Sequence, residues 1–189
     1  DRQLNMIVLA KKWLASDPLY FDTETTGLNG GSELIEAALV DSQGAVVFNQ
    51  RVKPTIAIPA DATKVHHITE ADVETAPSLA EVWPTFQKCL TGRLIVIYNA
   101  QYDVQILRDS LKAHKIATDT VWAEVVCAMK LYSVWNGTPG KYGGYKWWKL
   151  DDAASNEGIS KDGIALHAAA GDCELTRRLV EYIAKGVTQ

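Results

Sequence analysis

The feature that most constrains the fold is a short, wholly apolar run at residues 94–98, followed directly by an amphipathic segment. A run this short with no polar residue is typical of a strand that is covered on both faces. The segment that follows, from about residue 102 to 114, carries apolar residues at helical spacing. A covered strand that leads into a helix predicts an α/β fold.

Other segments predict elements that fit this fold class. In chain order they are a leader helix at 4–15, strands at 19–22, 33–40 and 45–52, a helix at 79–90, a strand at 122–127, and helices at 148–157 and 169–184. The strands at 33–40 and 45–52 flank turn residues and predict an antiparallel hairpin. Pro84 is expected to bend its helix or to delay its start. Glycine-rich residues 136–146 predict a mobile loop.

Length and composition favour one compact domain in a reducing compartment. The 189 residues are 47% hydrophobic, and the formal charge is −4. This charge argues against binding nucleic acid through a large basic face, but not against a carboxylate cluster filled by divalent ions. The cysteines stand far apart, which predicts free thiols and a cytoplasmic protein. The apolar run near the start is too short to span a membrane.

Two carboxylates lie at the end of the strand predicted at 19–22. Asp22 and Glu24 stand in the segment Phe-Asp-Thr-Glu-Thr-Thr-Gly-Leu, and alternate residues of a strand point to the same side. Two like charges about 4 Å apart repel by roughly 1–4 kcal/mol, so a fold that holds them together supplies a cation or raises one pKa. The pair favours a divalent-metal site, although an isolated Asp-x-Glu is more often a solvated strand end.

Two more acids share the apolar faces of predicted helices. Asp103 lies on the face of Leu107, although a solvated aspartate at a helix N-terminus is the alternative. Asp172 lies on the stripe of Leu175 and Leu179. A carboxylate that faces a core needs a partner or a metal. His167 precedes Asp172 across a run of alanine and glycine that would let a backbone or a substrate approach closely.

Taken in order, these residues resemble the DEDDh group of 3′–5′ exonucleases, which includes proteins like the proofreading epsilon subunit and exonuclease X. The resemblance rests on Phe-Asp-Thr-Glu-Thr-Thr-Gly-Leu at 21–28, Tyr-Asn-Ala-Gln-Tyr-Asp at 98–103 and His-Ala-Ala-Ala-Gly-Asp at 167–172. It implies a ribonuclease H-like mixed five-stranded sheet flanked by helices. Residues 1–18 would be a leader helix packed on or extending the domain, and residues 19–189 the exonuclease domain.

The resemblance also implies the catalytic residues. The acids that would hold two Mg²⁺ or Mn²⁺ ions are Asp22, Glu24, Asp103 and Asp172. His167 would be the general base, since an imidazole can take a proton near neutral pH. A two-metal mechanism of this kind would release nucleoside 5′-monophosphates from a 3′ end.

Substrate contacts are implied in the same way. The residues expected to make them are Thr23, Thr25, Thr26, Leu28, His66, Asn99 and Tyr102. Thr25 and Thr26 would hold the terminal nucleotide through amides and hydroxyls, and Leu28 would wedge against the last base. A tight turn after the strand is the alternative for these three residues. His66 falls in a segment that resembles the family's His-Gly-Ile-Thr, with His67 where glycine is usual.

Residues 141–149 interleave lysines with aromatic residues. This pattern suits phosphate contact together with base stacking on a single strand. The alternative is that Trp147 and Trp148 are core residues at the start of a helix and that the lysines are solvated.

The leading hypothesis is a metal-dependent 3′–5′ exonuclease that acts on DNA 3′ ends, expected to be single-stranded. It would work alone or as a proofreading module with a polymerase or repair partner. The alternative of an enzyme with the same mechanism that trims RNA 3′ ends is not excluded, because no sequence feature predicts whether the protein contacts the 2′-hydroxyl that distinguishes RNA from DNA. A vestigial nucleic-acid-binding adaptor is disfavoured, because all four acids and the histidine are present.

Overall fold

The computed structural model of the chain describes residues 1–117, 122 and 124–186. The strands of this part are β1 Leu19–Thr25, β2 Leu34–Val40, β3 Val46–Arg51, β4 Leu94–Ile97 and β5 Glu124–Cys127. The helices are α1 Arg2–Ala15, α2 Ala60–His66, α3 Glu70–Val73, α4 Leu79–Leu90, α5 Ala100–Ala113, α6 Ala128–Asn136, α7 Leu150–Asn156 and α8 Ala169–Ala184.

The strands form one mixed sheet in the order β3-β2-β1-β4-β5. The β1–β2 and β2–β3 pairs are antiparallel, whereas β4 runs parallel to both β1 and β5. The predicted hairpin is therefore confirmed as β2–β3. All four residues of β4 are buried, as the apolar run predicted, because helices cover both faces of the sheet at this strand.

Alternation along β1 decides which helix each side chain meets. Tyr20 points to the core that includes α1, α6 and α8, and Phe21 points to the core that includes α4 and α5. By the same alternation, Asp22 and Glu24 follow Tyr20 toward α8, whereas Thr23 follows Phe21 toward α5. The end of β1 is thus the place where residues from both helices can meet.

The leader helix packs on the rest of the chain. Ile7, Ala10 and Trp13 are buried in the core shared with α6 and α8. Asp1 caps the helix by accepting hydrogen bonds from the amides of Gln3 and Leu4. The face of α1 that carries these three residues is therefore covered by its own chain, whereas Leu4 and Val8 are exposed.

Several predicted boundaries needed correction. Pro84 does not delay its helix, since a capping box at Ser78 starts α4 at Leu79. The strand predicted at 122–127 is observed from Glu124, and residue 123 lies outside the described residues. The helix predicted at 148–157 is the shorter α7, and α2, α3 and α6 were not predicted at all. Residues 136–146, predicted as a mobile loop, contain a hydrogen-bonded turn in which Pro139 and Tyr145 pair as an isolated antiparallel β-bridge.

Candidate active site

Four carboxylates meet at the end of β1. Asp22, Glu24 and Asp172 each offer an oxygen within 4.8 Å of the oxygens of the other two. Asp103 reaches the same place from the first turn of α5, where its Oδ1 accepts a hydrogen bond from the Thr23 hydroxyl at 2.8 Å. Elements far apart in sequence thus bring together all four acids that the motifs singled out.

Burial and mutual repulsion make these acids unusually hard to ionise. The pKa of Asp22 lies well above its ordinary value, because burial and the nearby charges of Asp103, Asp172 and Glu24 all disfavour the carboxylate. Burial and the charge of Asp172 raise the pKa of Glu24 to about 9. Burial also raises the pKa of Asp103 and of Asp172. A cation would reverse this effect by stabilising the ionised forms.

One atom of the cluster tests whether the residues fit a metal. The Oδ2 oxygen of Asp22 is buried and has no hydrogen-bond partner among the described residues. A buried oxygen with no partner costs free energy unless something binds it. Carboxylate oxygens are the donors that Mg²⁺ and Mn²⁺ prefer. The donor set and the orphaned oxygen therefore fit a hard divalent cation.

His167 lies beside this cluster in the segment before α8. Its side chain is exposed, and its backbone has a left-handed φ of 60°, which is uncommon for a residue other than glycine. Four residues later, Gly171 lies so close to Ala165 that a Cβ atom would overlap the Ala165 carbonyl. The small residues after His167 therefore allow close packing of the backbone, as predicted, and this packing holds the histidine at the N-terminus of α8.

A cleft of about 730 Å³ opens beside the acids. It meets the acid cluster at Glu24, and its walls come from the end of β1, the segment after it, and α2. The predicted substrate residues that line it are Thr23, Thr25, Thr26, Leu28, His66 and Tyr102. Leu28 is 86% exposed, so its side chain is free to contact a ligand. Asn99 is exposed at the N-cap of α5, outside the residues that line the cleft.

Thr25, Tyr102 and Thr26 use their polar groups to hold the turn after β1. The Thr25 and Tyr102 hydroxyls lie 2.7 Å apart, and the carbonyl of Gly27 lies within hydrogen-bond distance of both. One hydroxyl can donate to the other while the second donates to Gly27. The Thr26 amide donates to the Glu33 carbonyl, and its hydroxyl oxygen accepts from the Glu33 amide. These contacts match the tight turn considered above, and contacts with a nucleotide stay a prediction.

His66 is fixed in the wall of the cleft. Its Nδ1 accepts from the Ile68 amide at 3.0 Å, so the proton of the neutral ring sits on Nε2, which is 3.0 Å from the Thr25 carbonyl. Burial lowers the pKa of His66 and favours this neutral ring. The next residue, His67, ends α2 with a left-handed φ of 63°, which explains why glycine suits this position.

Comparison with known proteins agrees with this geometry. A family model described as exonuclease, of the RNase T type, matches residues 19–180. The chain belongs to this exonuclease family. The exonuclease is 41% identical over 181 residues to the uncharacterized exonuclease CP81 of Escherichia phage 186, a match that covers 94% of this chain and 93% of that protein.

Solved structures share the fold of this exonuclease. Exonuclease X in complex with 5′ overhanging duplex DNA superposes with a TM-score of 0.64 at 24% identity, covering 89% of this chain and 92% of that chain. The nuclease domain of 3′hExo, a DEDDh family member bound to rAMP, gives 0.71 at 17% identity, covering 90% and 93%. The predicted ribonuclease H-like mixed sheet and the resemblance to DEDDh exonucleases are confirmed. No helix in the described part of this exonuclease has the length and apolar content to cross a membrane.

A fifth carboxylate of the exonuclease, that of Glu36, has no counterpart among the residues predicted from the sequence. It is buried on β2 opposite Glu24. One oxygen accepts from the Ala169 amide at 2.9 Å, and the other is 3.3 Å from Arg51 Nε. Glu36 thereby ties the N-terminus of α8, which carries Asp172, to the sheet. The only sequence signal was a single charge within an apolar strand.

Proposed function

We propose that this exonuclease hydrolyses the last phosphodiester bond of a DNA strand from its 3′ end and releases nucleoside 5′-monophosphates. The observation that carries the proposal is the buried cluster of Asp22, Glu24 and Asp172, whose oxygens lie within 4.8 Å of one another. The orphaned oxygen of Asp22 adds to it. Such a cluster is costly to maintain unless it binds a cation.

Two Mg²⁺ or Mn²⁺ ions would be held by Asp22, Glu24, Asp103 and Asp172. When bound, they would supply Lewis-acid stabilisation of the phosphate and acidify a water molecule. The imidazole of His167 would take the proton of the attacking water, and its exposed position would let it approach a bound phosphate.

The cleft would hold the terminal nucleotide next to the acids. Leu28 would pack against the last base, and Tyr102, fixed by Thr25, would lie against the terminal sugar. His66 and Thr26 would support the cleft through the contacts described above. These roles, and that of Asn99, are proposals that rest on position.

DNA is the first candidate substrate, and the complex of exonuclease X with overhanging duplex DNA supports it. RNA is the second candidate, because the 3′hExo nuclease domain binds rAMP. A vestigial adaptor is disfavoured, since the four acids lie together as catalysis requires. A polymerase or repair partner and a cytoplasmic location stay predictions.

The test is cleavage of 5′-labelled DNA and RNA oligomers of one sequence with Mg²⁺, Mn²⁺ or a chelator. We expect a ladder that shortens from the 3′ end only when metal is present, and faster shortening of DNA. Faster shortening of RNA would select the second candidate. Immediate release of the 5′ label as a mononucleotide would show cleavage from the 5′ end and would contradict the proposal.

A matched pair of variants on α5 tests the acid assignment. Asp103→Asn removes a charge from the cluster, whereas Asp109→Asn removes one from the same helix at a residue that bonds only Gln105 in the described structure. We expect the first variant to abolish cleavage and the second to cleave like the wild type. Full activity of Asp103→Asn would refute the metal site.

A further inference from the structure

The aromatic-lysine loop, residues 139–149, is a folded turn between α6 and α7. The Gly140 amide donates to the Gly144 carbonyl at 3.0 Å, and the Lys146 amide donates to the Thr138 carbonyl at 2.8 Å. Gly140 has no room for a side chain, because a Cβ atom would lie 2.7 Å from the Gly143 carbonyl oxygen. The loop therefore presents its side chains from a defined backbone.

Those side chains include exposed aromatic rings, and lysines that form no ion pair within the described part of the chain. Tyr142 is 91% exposed and Trp147 is 62% exposed, so Trp147 is not a core residue. Lys141 and Lys146 are exposed, and their ammonium groups lie 5.2 Å and 3.6 Å from the ring centroids of Tyr142 and Trp148. Within the described part of the chain, neither lysine is within ion-pair distance of a carboxylate.

Trp148 behaves differently and anchors the loop. It is half-buried against the core of α1, α6 and α8, so the core interpretation is right for this residue. Its carbonyl accepts a 2.6 Å hydrogen bond from the Tyr98 hydroxyl, just before α5. The loop is therefore fixed to the end of β4, close to the acid cluster.

The cleft and the loop adjoin different elements that carry the acids. The cleft meets the cluster at Glu24. The loop leads into α7, which packs against α8, the helix that carries Asp172. A strand whose last nucleotide filled the cleft would cross the acids and continue toward the loop.

We propose that the aromatic-lysine loop binds the single strand on the 5′ side of the scissile phosphate. Bases stack on Tyr142 and Trp147, and phosphates pair with Lys141 and Lys146. Charge complementarity favours nucleic acid over other occupants, because this positive patch stands on a chain with a net charge of −4. The inference rests on the proposed function and names the part of the substrate that the cleft does not hold.

Kinetics on long and short substrates test it. For Tyr142→Ala/Trp147→Ala we expect the KM of a sixteen-nucleotide strand to rise about tenfold or more, as loss of base stacking predicts. The value of kcat and the KM of thymidine 5′-monophosphate p-nitrophenyl ester, which fills only the terminal site, should stay unchanged. An unchanged KM for the long strand, or an equal rise for the ester, would overturn the proposal.

Salt dependence tests the lysines separately. In Lys141→Gln/Lys146→Gln the slope of log KM against log salt should fall by about 1.4, or about 0.7 for each lost phosphate contact. Lys88→Gln/Lys112→Gln is the matched control, since both of these lysines are exposed on α4 and α5. Equal slopes in the two double variants would refute the phosphate contacts.

Binding in chelator separates this inference from the exonuclease proposal. By fluorescence anisotropy, Tyr142→Ala/Trp147→Ala should bind a labelled single strand about tenfold more weakly than the wild type, and Trp147→Phe should bind nearly as well as the wild type. Loss of affinity only for a blunt duplex would overturn the proposal. A chain that binds strand through the loop but never cleaves with metal would refute the exonuclease function and support the loop.

Discussion

At the scale of residues, the buried carboxylates of the acid cluster lower the stability of the folded chain as long as no cation binds them. Asp22 and Glu24 are predictable from sequence, because a motif and the alternation of a strand place them together. The role of Glu36 is not predictable from sequence, because its partner Ala169 lies in a helix far along the chain. A single charge in an apolar strand also shows no periodic pattern. Local pattern shows what a side chain can do, but not which remote backbone amide it meets.

Replacing Glu24 by glutamine should stabilise the metal-free protein at neutral pH. The pKa of Glu24 is raised to about 9 in the folded state, whereas its ordinary value in an unfolded chain is near 4.5. The contribution of the protonated side chain to folding stability is therefore complete below pH 4.5 and is lost as the pH rises toward 9. Glutamine does not titrate. In chelator, Glu24→Gln should melt above the wild type at pH 7, with a shallower fall of Tm between pH 5 and 9.

Thermal unfolding followed by circular dichroism measures this effect, with Glu124→Gln on β5 as the matched control. Each 1 kcal/mol would move Tm by roughly 2–4 °C for a chain of this size. A Glu24→Gln variant that melts below the wild type in chelator would contradict the assigned shift.

His167→Ala should lower kcat by about 10²-fold or more if the imidazole is the base. His67→Ala is a matched control, because His67 is also an exposed histidine with a left-handed φ. Added imidazole should restore part of the activity of His167→Ala. If both variants lose activity equally, backbone strain rather than proton transfer is the cause.

At the scale of elements, the regular parts of the fold were the predictable ones. The predicted bounds of α8 agree with the observed Ala169–Ala184, since its apolar stripe is long and periodic. Helix α6 was missed because it follows β5 without a break, and its N-cap, Cys127, makes no side-chain cap. Short α2 and α3 carry too few apolar positions to show a period.

Removing the tie between β2 and α8 should weaken both stability and activity. Glu36→Ala leaves the buried Ala169 amide without its acceptor, which should cost about 1–3 kcal/mol. Arg51→Ala removes the other partner of Glu36, a half-exposed arginine, and should cost about 0–1 kcal/mol. Urea denaturation and kcat of both variants give the comparison. Equal losses would show that the Arg51 pair, rather than the helix contact, matters.

At the scale of the whole molecule, metal binding should be visible as added stability. The acids come from β1, α5 and α8, so only the folded chain gathers them, and a ligand of the folded state raises Tm. At one hundred times its dissociation constant, Mg²⁺ should stabilise by about 2.7 kcal/mol, or roughly 5–11 °C. Asp22→Asn should lose most of this shift in scanning calorimetry. An equal shift in that variant would place the ion elsewhere.

The dispersal of the acids along the chain also bears on synthesis. A ribosome makes Asp22 and Glu24 first, Asp103 much later, and Asp172 only when it reaches α8. A nascent chain therefore carries an incomplete cluster until α8 emerges. If these acids hold the metal, a polypeptide that ends before α8 is expected to lack metal-dependent hydrolysis.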